Sequence, residues 1–588
     1  MKKIINKPET IVREMCKGFV LANPTLEFVD KYKIVKKKTI NTDKVSLISG
    51  GGSGHEPAHA GFVGKGMLDA AVCGDVFASP SQVQVYQAIK QTASDKGTLL
   101  IIKNYSGDMM NFQSAAYLAE MDGLTVDYVK VEDDIAVQDS LYTVGRRGVA
   151  GTVFVHKIAG AAAEKGLELA EVKRIAQKAA DNVRSIGFAL TSCTVPAKGT
   201  PTFELGEDEI EYGVGIHGEP GIKREKISTA DKLAERMTDA LVKDLNLAEN
   251  DEIAVLINGF GATPQMELNL LNYAVTKDLV AKKLKPARIF IGNYMTSIDM
   301  AGASVSILKL DDELKFYLTA PADTPSFKVM ANEQDANIAD IMAIDENKTV
   351  KEVSFDVETD AAYANVTDNK ISLNNMIYII DKMSEIIIRN EVPFCELDSH
   401  AGDGDFGMSV AKGFKELKRQ WHEVLSQAKD IGSFLEACSM VIMEYCGGAS
   451  GPVWGFAFKT AGKCCEGKQE ITVAEFAQMM QGAVDGIQAV GKRAFGRGAV
   501  VGDKTLIDAL VPCADMWKDA AKYQCSMQNA FENGAKAAVK GADKTKEIVA
   551  RMGRAGTVGE RSIGYPDAGA YALGVIFTEL TSSLNFKA

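Results

Sequence analysis

The hydrophobic rhythm of this chain changes between residues 331 and 370, and that change divides what can fold on either side of it. Before it, short β-rich apolar runs each end in a glycine-containing turn. Val45–Ser49 leads into GGGSG, Thr98–Lys103 into NYSGD, Glu252–Asn258 into GFGATP and Ala287–Ile291 into GNYMT. A helical pattern mostly comes next, which is the signature of an α/β sheet with crossover helices. Ligands of such sheets bind at the carboxyl ends of strands, where these turns fall. Residues 331–370 are polar, acidic and weakly periodic, and read as an interdomain linker. From Ile371 to the end the pattern is helical. Asn374 or Asn375 is expected to cap the first helix, in which Met376, Ile380, Met383 and Ile387 recur on one face. With no strand series and no tandem repeat after that point, the second domain is expected to be all-α. A length of 588 residues, well past the size at which one core stops growing, agrees with at least two domains.

Composition removes several function classes. The formal charge is −12 and the pI about 5.3, whereas a nucleic-acid binder usually carries a basic face. No apolar run approaches the ~20 residues that span a bilayer. The opening MKKIINKPETIVREMCKGF interrupts itself with charges before any apolar segment of signal length, so no secretory signal is expected. The ten cysteines include the adjacent Cys464 and Cys465 but no CxxC pair. Reduced thiols in a cytoplasm fit this pattern better than disulfides or zinc.

The sharpest motif is LDSHAGDGDFG, residues 397–407. Asp398, Asp403 and Asp405 are spaced so that a helix would not align all three, and Gly402, Gly404 and Gly407 indicate a tight loop in which they converge. Crowded carboxylates repel and call for a cation, and oxygen-only ligands suit Mg²⁺ or Ca²⁺. A calcium EF-hand counted from Asp403 fails, with Met408 in place of the glycine and Phe414 in place of the final Glu. Mg²⁺ completes its shell with water and phosphate, so the loop points to a nucleotide. Three glycine-rich segments, 446–455, 497–510 and 553–570, could cradle phosphates, with Arg497, Lys504, Arg554 and Arg561 as cations. The near-Walker sequence GIQAVGKR at 486–493 is rejected, because Arg493 replaces the Ser/Thr and no strand precedes it.

Six histidines occur, two of them in similar glycine-rich turns: His55 in GGGSGHEP and His217 in GIHGEPG. GGGSGH does not satisfy the dinucleotide pattern GxGxxG. A neutral imidazole is a competent nucleophile towards a carbonyl, and a second His with an Asp could move the protons of a small polyol. Lys103, in KNYSGD, could hydrogen-bond a substrate oxygen. His59 reads as a packed or capping residue, His156 as a core histidine, and His400, inside the metal loop, is not assigned as a ligand.

These motifs resemble those of the dihydroxyacetone kinases. The segments beginning ISGGGSGHEP, together with KNYSGD and GIHGEPG, resemble the family's substrate (K) domain; GDGDFG, GGASG, GDKTLIDAL and GRAGTVGERSIGYPDAGA resemble its nucleotide (L) domain. The likeness covers the chain except the linker, in family order, and both domains in one chain look like the ATP-using branch. It implies an α/β substrate-binding K domain (1–330), a linker (331–370) and an all-α helical-barrel nucleotide-binding L domain (371–588). It also implies that His217 holds dihydroxyacetone as a covalent hemiaminal, with His55 and Asp108 on the hydroxyls and one of them as general base. Gly52, Ser53, Gly54, Ser79 and Lys103 would shape that pocket. Asp398, Asp403 and Asp405 would hold Mg²⁺. Phe406, Gly407, Met408, Ser409, Ala449, Ser450, Gly498, Leu506, Arg554, Asp567, Ala568 and Gly569 would line ATP. Phe406, Leu506 and His400 depart from the residues common in the family. The resemblance further implies a homodimer, and admits two other roles: an FAD-AMP lyase at the same nucleotide site, or a non-catalytic dihydroxyacetone sensor.

Overall fold

A computed structural model describes residues 2–137, 145–219, 221–330, 338, 353–552, 556 and 559–587. The chain forms two compact units, Met1–Lys348 and Thr349–Ala588.

The first unit holds two six-stranded sheets. Its strands are β1 (Leu26–Val29), β2 (Ile34–Lys37), β3 (Ser46–Ser53), β4 (Ala70–Val76), β5 (Thr98–Lys103), β6 (Val126–Val131), β7 (Val183–Ala189), β8 (Glu209–Tyr212), β9 (Lys223–Lys226), β10 (Glu252–Gly259), β11 (Lys285–Gly292) and β12 (Gly302–Lys309). The helices are α1 (Ile11–Ala22), α2 (Gln82–Gln91), α3 (Ser106–Met121), α4 (Thr152–Glu164), α5 (Leu169–Asp181), α6 (Ala230–Asp244), α7 (Gln265–Ala281) and α8 (Asp312–Thr319). The four runs expected as strands are β3, β5, β10 and β11. The first sheet runs β1-β2-β4-β3-β5-β6, and the second β11-β10-β12-β7-β8-β9. In the first sheet β4, β3, β5 and β6 are parallel neighbours, as crossover helices require. The second sheet differs from the expected crossover pattern, since only β10 and β11 pair in parallel. The reason is local: β12 follows β11 after a short loop with no helix, and so returns antiparallel beside β10. β3 and β5 are buried along their whole length, which is why they read as unbroken apolar or small-residue runs.

The second unit is helical, with α9 (Leu373–Arg389), α10 (Glu391–Asp398), α11 (Phe406–Arg419), α12 (Trp421–Gln427), α13 (Ile431–Tyr445), α14 (Ser450–Cys464), α15 (Val473–Phe495), α16 (Ile507–Lys522), α17 (Met527–Lys544) and α18 (Ala568–Ser583). Eight of them close a ring: α9 packs on α11, α11 on α13, and α13 to α18 each on the next, with α18 returning to α9. The ring encloses an apolar cavity of about 130 Å³. Met376, Ile380, Met383 and Ile387 are all buried in this core. Each such side chain contributes about 1.5–3 kcal/mol on leaving water. The near-Walker segment lies inside α15, as its rejection required.

Two expectations are corrected here. Ser372, not Asn374 or Asn375, caps α9: its hydroxyl accepts from Asn375 N–H, and Asn375 answers by accepting from Ser372 N–H. Asn375 spends its amide N–H groups on the carbonyls of Tyr363 and Asn365. The expected linker is also shorter at its C-terminal end. Residues 331–352 lie, except for 338, outside the described residues, but the stretch from 353 belongs to the helical unit. There Asn365–Val366 pairs with Asn585–Phe586, and Asp381 accepts from the Glu358 and Thr359 N–H groups.

Candidate active site

The first constellation sits at the carboxyl end of β3. Gly54 has φ +102°, a conformation glycine tolerates without cost, and it turns the chain so that His55 enters a fully buried position. His55 Nδ1–H donates to the Thr296 carbonyl at 2.8 Å, and its Nε2 lies 3.1 Å from His217 Nε2. The His55 ring stacks on Phe77, and His217 stands edge-on to His55, Phe77 and Tyr105. Glu219 accepts from both His217 Nδ1–H and His217 N–H at 2.9 Å. Burial, then His217 and Lys103, hold His55 well below the usual histidine range, so it is neutral at pH 7. Burial alone would raise Glu219, but His217 and Arg147 hold it down at about 2.

Beside this pair, Asp108 lies in the first turn of α3, where the helix dipole favours a carboxylate. It accepts from the Ser79 hydroxyl at 2.5 Å and from Lys103 Nζ at 3.3 Å. Lys103, which is 1% exposed, also stands 5.4 Å over the Tyr105 ring that touches His217. A Cβ on Gly52 would lie 2.7 Å from Ala78 N, so this position brings the chain against the 77–79 loop. The Ser53 hydroxyl donates to the Gly74 carbonyl at 2.7 Å. His55, His217, Lys103, Asp108, Ser79, Gly52 and Gly54 are thus brought together, and Ser53 supports the loop. His59 and His156 lie in the buried layer behind, edge to face.

Sequence reading missed Glu219, Thr296, Arg147, Phe77 and Tyr105. Glu219 had a signal, two residues after His217 in GIHGEPG. Thr296 ends the GNYMT turn noted after Ala287–Ile291, but nothing there pointed to His55, 241 residues away.

The second constellation is the aspartate loop between α10 and α11. Asp398, Asp403 and Asp405 each place a carboxylate oxygen within 4.8 Å of the others. Asp398 accepts from Gly404 N–H at 3.0 Å and Phe406 N–H at 3.4 Å. Burial, with Asp403 and Asp405 beside it, still raises its pKa. An oxygen-only trio that disfavours its own ionisation fits a hard divalent cation such as Mg²⁺.

These aspartates open onto a cavity of about 210 Å³ that Phe406, Ser409, Ala449, Ser450, Leu506, Asp567, Ala568 and Gly569 also line. The helices α11, α14, α16 and α18 all begin at this cavity. Four N-termini bring partial positive charge to the cavity, which suits phosphate oxygens. Asp567 caps α18 through Ala570 N–H; desolvation, then Asp508 and Asp398, push its pKa up to about 7.

Other expected nucleotide residues lie elsewhere. Gly407 packs α11 onto α10, Met408 is exposed with its N–H on Cys395 Sγ, and Gly498 rests against Gln488 of α15. Arg554 is outside the described residues. Lys504 lines the cavity, but its buried ammonium is taken up by the main chain, donating to the carbonyls of Thr545, Ile548, Ser562 and Tyr565. Arg497 pairs with Asp503. The sequence motifs mark the helix N-termini at the cavity only as glycine-rich turns. The His400 ring stacks on Tyr565 at 3.8 Å, on the rim.

Comparisons with known proteins divide the chain in the same way. The Dak1 domain model matches residues 17–326 and the DAK2 domain model residues 400–582. The chain is 34% identical to a D-erythrulose kinase of Mycolicibacterium smegmatis, over 97% of each chain. It is 31% identical to the triokinase/FMN cyclase of Mus musculus, over 99% of each. The crystal structure of the dihydroxyacetone kinase from C. freundii in complex with AMP-PNP and Mg²⁺ is matched at 30% identity, with a TM-score of 0.58 and 99% of each chain covered.

Proposed function

The chain belongs to the dihydroxyacetone kinase family, and from that premise we propose that it transfers the terminal phosphate of ATP to a hydroxyl of dihydroxyacetone. The cofactors are ATP and Mg²⁺. The observation that carries the kinase reading is the aspartate trio opening onto a cavity ringed by four helix N-termini.

In the first unit, His217 Nε2 forms the bond to the ketone carbon, and the ring contacts of Phe77 and Tyr105 fix the direction of that lone pair. A carbonyl requirement of this kind separates dihydroxyacetone from glycerol. Asp108 accepts the proton of the reacting hydroxyl, and Lys103 and Ser79 hold its carboxylate in place. In the second unit, Asp398, Asp403 and Asp405 would hold Mg²⁺, which when bound neutralises charge on the phosphate oxygens. The N–H groups that open α11, α14, α16 and α18 orient those oxygens, so catalysis rests on positioning and charge neutralisation. The reading includes a cytoplasmic homodimer, which sedimentation of the purified protein checks.

Purified protein, ATP and Mg²⁺ are expected to release ADP with dihydroxyacetone faster than with erythrulose or glyceraldehyde, and not with glycerol. ADP release no greater with any ketone than with glycerol refutes the proposal. The name of the mouse relative makes FAD an informative control: loss of FAD absorbance without ketone would mark a cyclase activity of the same cavity.

A further inference from the structure

The two imidazoles of the substrate site face each other through the wrong atoms for a hydrogen bond. A carbonyl oxygen can only accept, so His55 must carry its proton on Nδ1, where it meets Thr296. An ionised carboxylate can only accept, so His217 must also carry its proton on Nδ1, where it meets Glu219. Both Nε2 atoms are then lone-pair atoms, yet they lie 3.1 Å apart. Neither ring can offer the other a proton, so the contact leaves the His217 Nε2 lone pair unused and facing the neutral His55 ring. The titratable groups facing the pair are Glu219, Tyr105, Lys103 and, behind Glu219, Arg147. Of these only Glu219 is an anion, and it touches His217 twice, through the ring and through the main chain. Arg147 is fully buried and held by Asp134 and the Gly213 carbonyl, so it fixes the far side of the same loop.

We propose that Glu219 is the counter-ion that makes His217 the nucleophile: it locks the Nδ1–H tautomer and neutralises the charge the ring acquires on bonding to carbon. The step balances. The Nε2 lone pair of His217 forms the N–C bond, and the carbonyl π pair moves to oxygen. That oxygen takes up a proton from solvent. The products are a hemiaminal hydroxyl, a neutral His55 and an N-substituted imidazolium at His217 paired with Glu219. The charge the ring gains is paired with Glu219, so no unpaired charge is buried as the ketone is captured. Glu219 acts through His217 and is a positioning residue. The assignment rests on the covalent reading above and extends it.

The test follows adduct formation by intact mass spectrometry on the full chain, titrated with dihydroxyacetone in the absence of nucleotide. Glu219→Gln keeps an acceptor for Nδ1–H but loses the charge. The expected result is adduct formation about 10–100-fold weaker than wild type, the worth of a charge-assisted hydrogen bond. Because removing a buried carboxylate can disturb the loop, Glu219→Ala is titrated with formate as well, which returns an anion to the vacated space. Restored adduct supports the assignment; no adduct at saturating formate overturns it. A Glu219→Gln adduct within twofold of wild type overturns the assignment alone. An absent adduct on wild type overturns the covalent reading along with it.

Discussion

Replacing Lys504 by Met separates two roles that a lysine in a glycine-rich segment beside the nucleotide cavity could have. In the structure its ammonium is 1% exposed and lies 2.5–3.3 Å from four main-chain carbonyls, two of them, Thr545 and Ser562, on buried residues. These carbonyls belong to the 545–565 segment that delivers Asp567 to the cavity. A hydrogen bond to a charged donor is worth about 1.5–3 kcal/mol net. Methionine fills much of the same volume, so the cavity cost is small, and it removes the cost of burying an ammonium. What remains is the cost of leaving buried carbonyls unpaired, about 3–5 kcal/mol. That is a large fraction of the 5–15 kcal/mol that typically holds a domain together. The chain's three tryptophans, Trp421, Trp454 and Trp517, all lie in the helical unit, so their fluorescence reports on that unit alone. At a urea m-value of about 2 kcal/mol/M the midpoint should fall by about 2 M. ATP with Mg²⁺ should raise the midpoints of wild type and variant alike. An unchanged midpoint together with a tenfold or greater loss of ATP affinity would refute the reasoning and return Lys504 to the phosphates.

Asp403→Asn should lower ADP release about 100-fold or more while leaving the ketone adduct of the first unit intact; loss of the adduct instead would contradict the division of labour. Gly52→Ala should do the reverse, since its Cβ would fall 2.7 Å from Ala78 N: the adduct weakens at least ~10-fold and nucleotide affinity holds, as calorimetric titration with ATP can check. Acid should weaken the first unit through His156, whose burial, with Lys103 nearby, lowers its pKa to about 3. The unfolded chain binds that proton near pH 6.5 and the folded chain does not, so stability is complete above pH 6.5 and is lost as pH falls towards 3. His156→Phe should flatten the urea midpoint's pH dependence by up to ~1.4 kcal/mol per pH unit over that window, measured by circular dichroism; an unchanged slope would show the histidine is not a buried neutral base.

The contrast between elements shows where sequence information ends. Four strands, the first helix of the second unit and the aspartate loop were legible, because each depends on local periodicity or on glycines within a few residues. His55, His217, Asp108 and Lys103 were legible because each sits beside a glycine-rich turn at the end of an apolar run. The mostly antiparallel second sheet was not, since it depends on the return of β12 after a short loop rather than on any strand's composition. Nor was the cap of α9: Ser372 and Asn375 both favour helix starts, and only the register against 365–366 chose between them.

By itself, then, the sequence determined which groups are available: the two histidines in glycine-rich turns, the oxygen-only metal trio, and the order of an α/β unit before a helical one. Only the tertiary structure decided their chemistry. It set Thr296 against His55 across 241 residues, turned Lys504 from a phosphate cation into a main-chain clamp, and gathered four helix N-termini around one cavity. The physical reason is that a side chain's charge state and bonding follow from what is packed against it. Those neighbours come from distant segments whose spacing along the chain carries no record of the meeting.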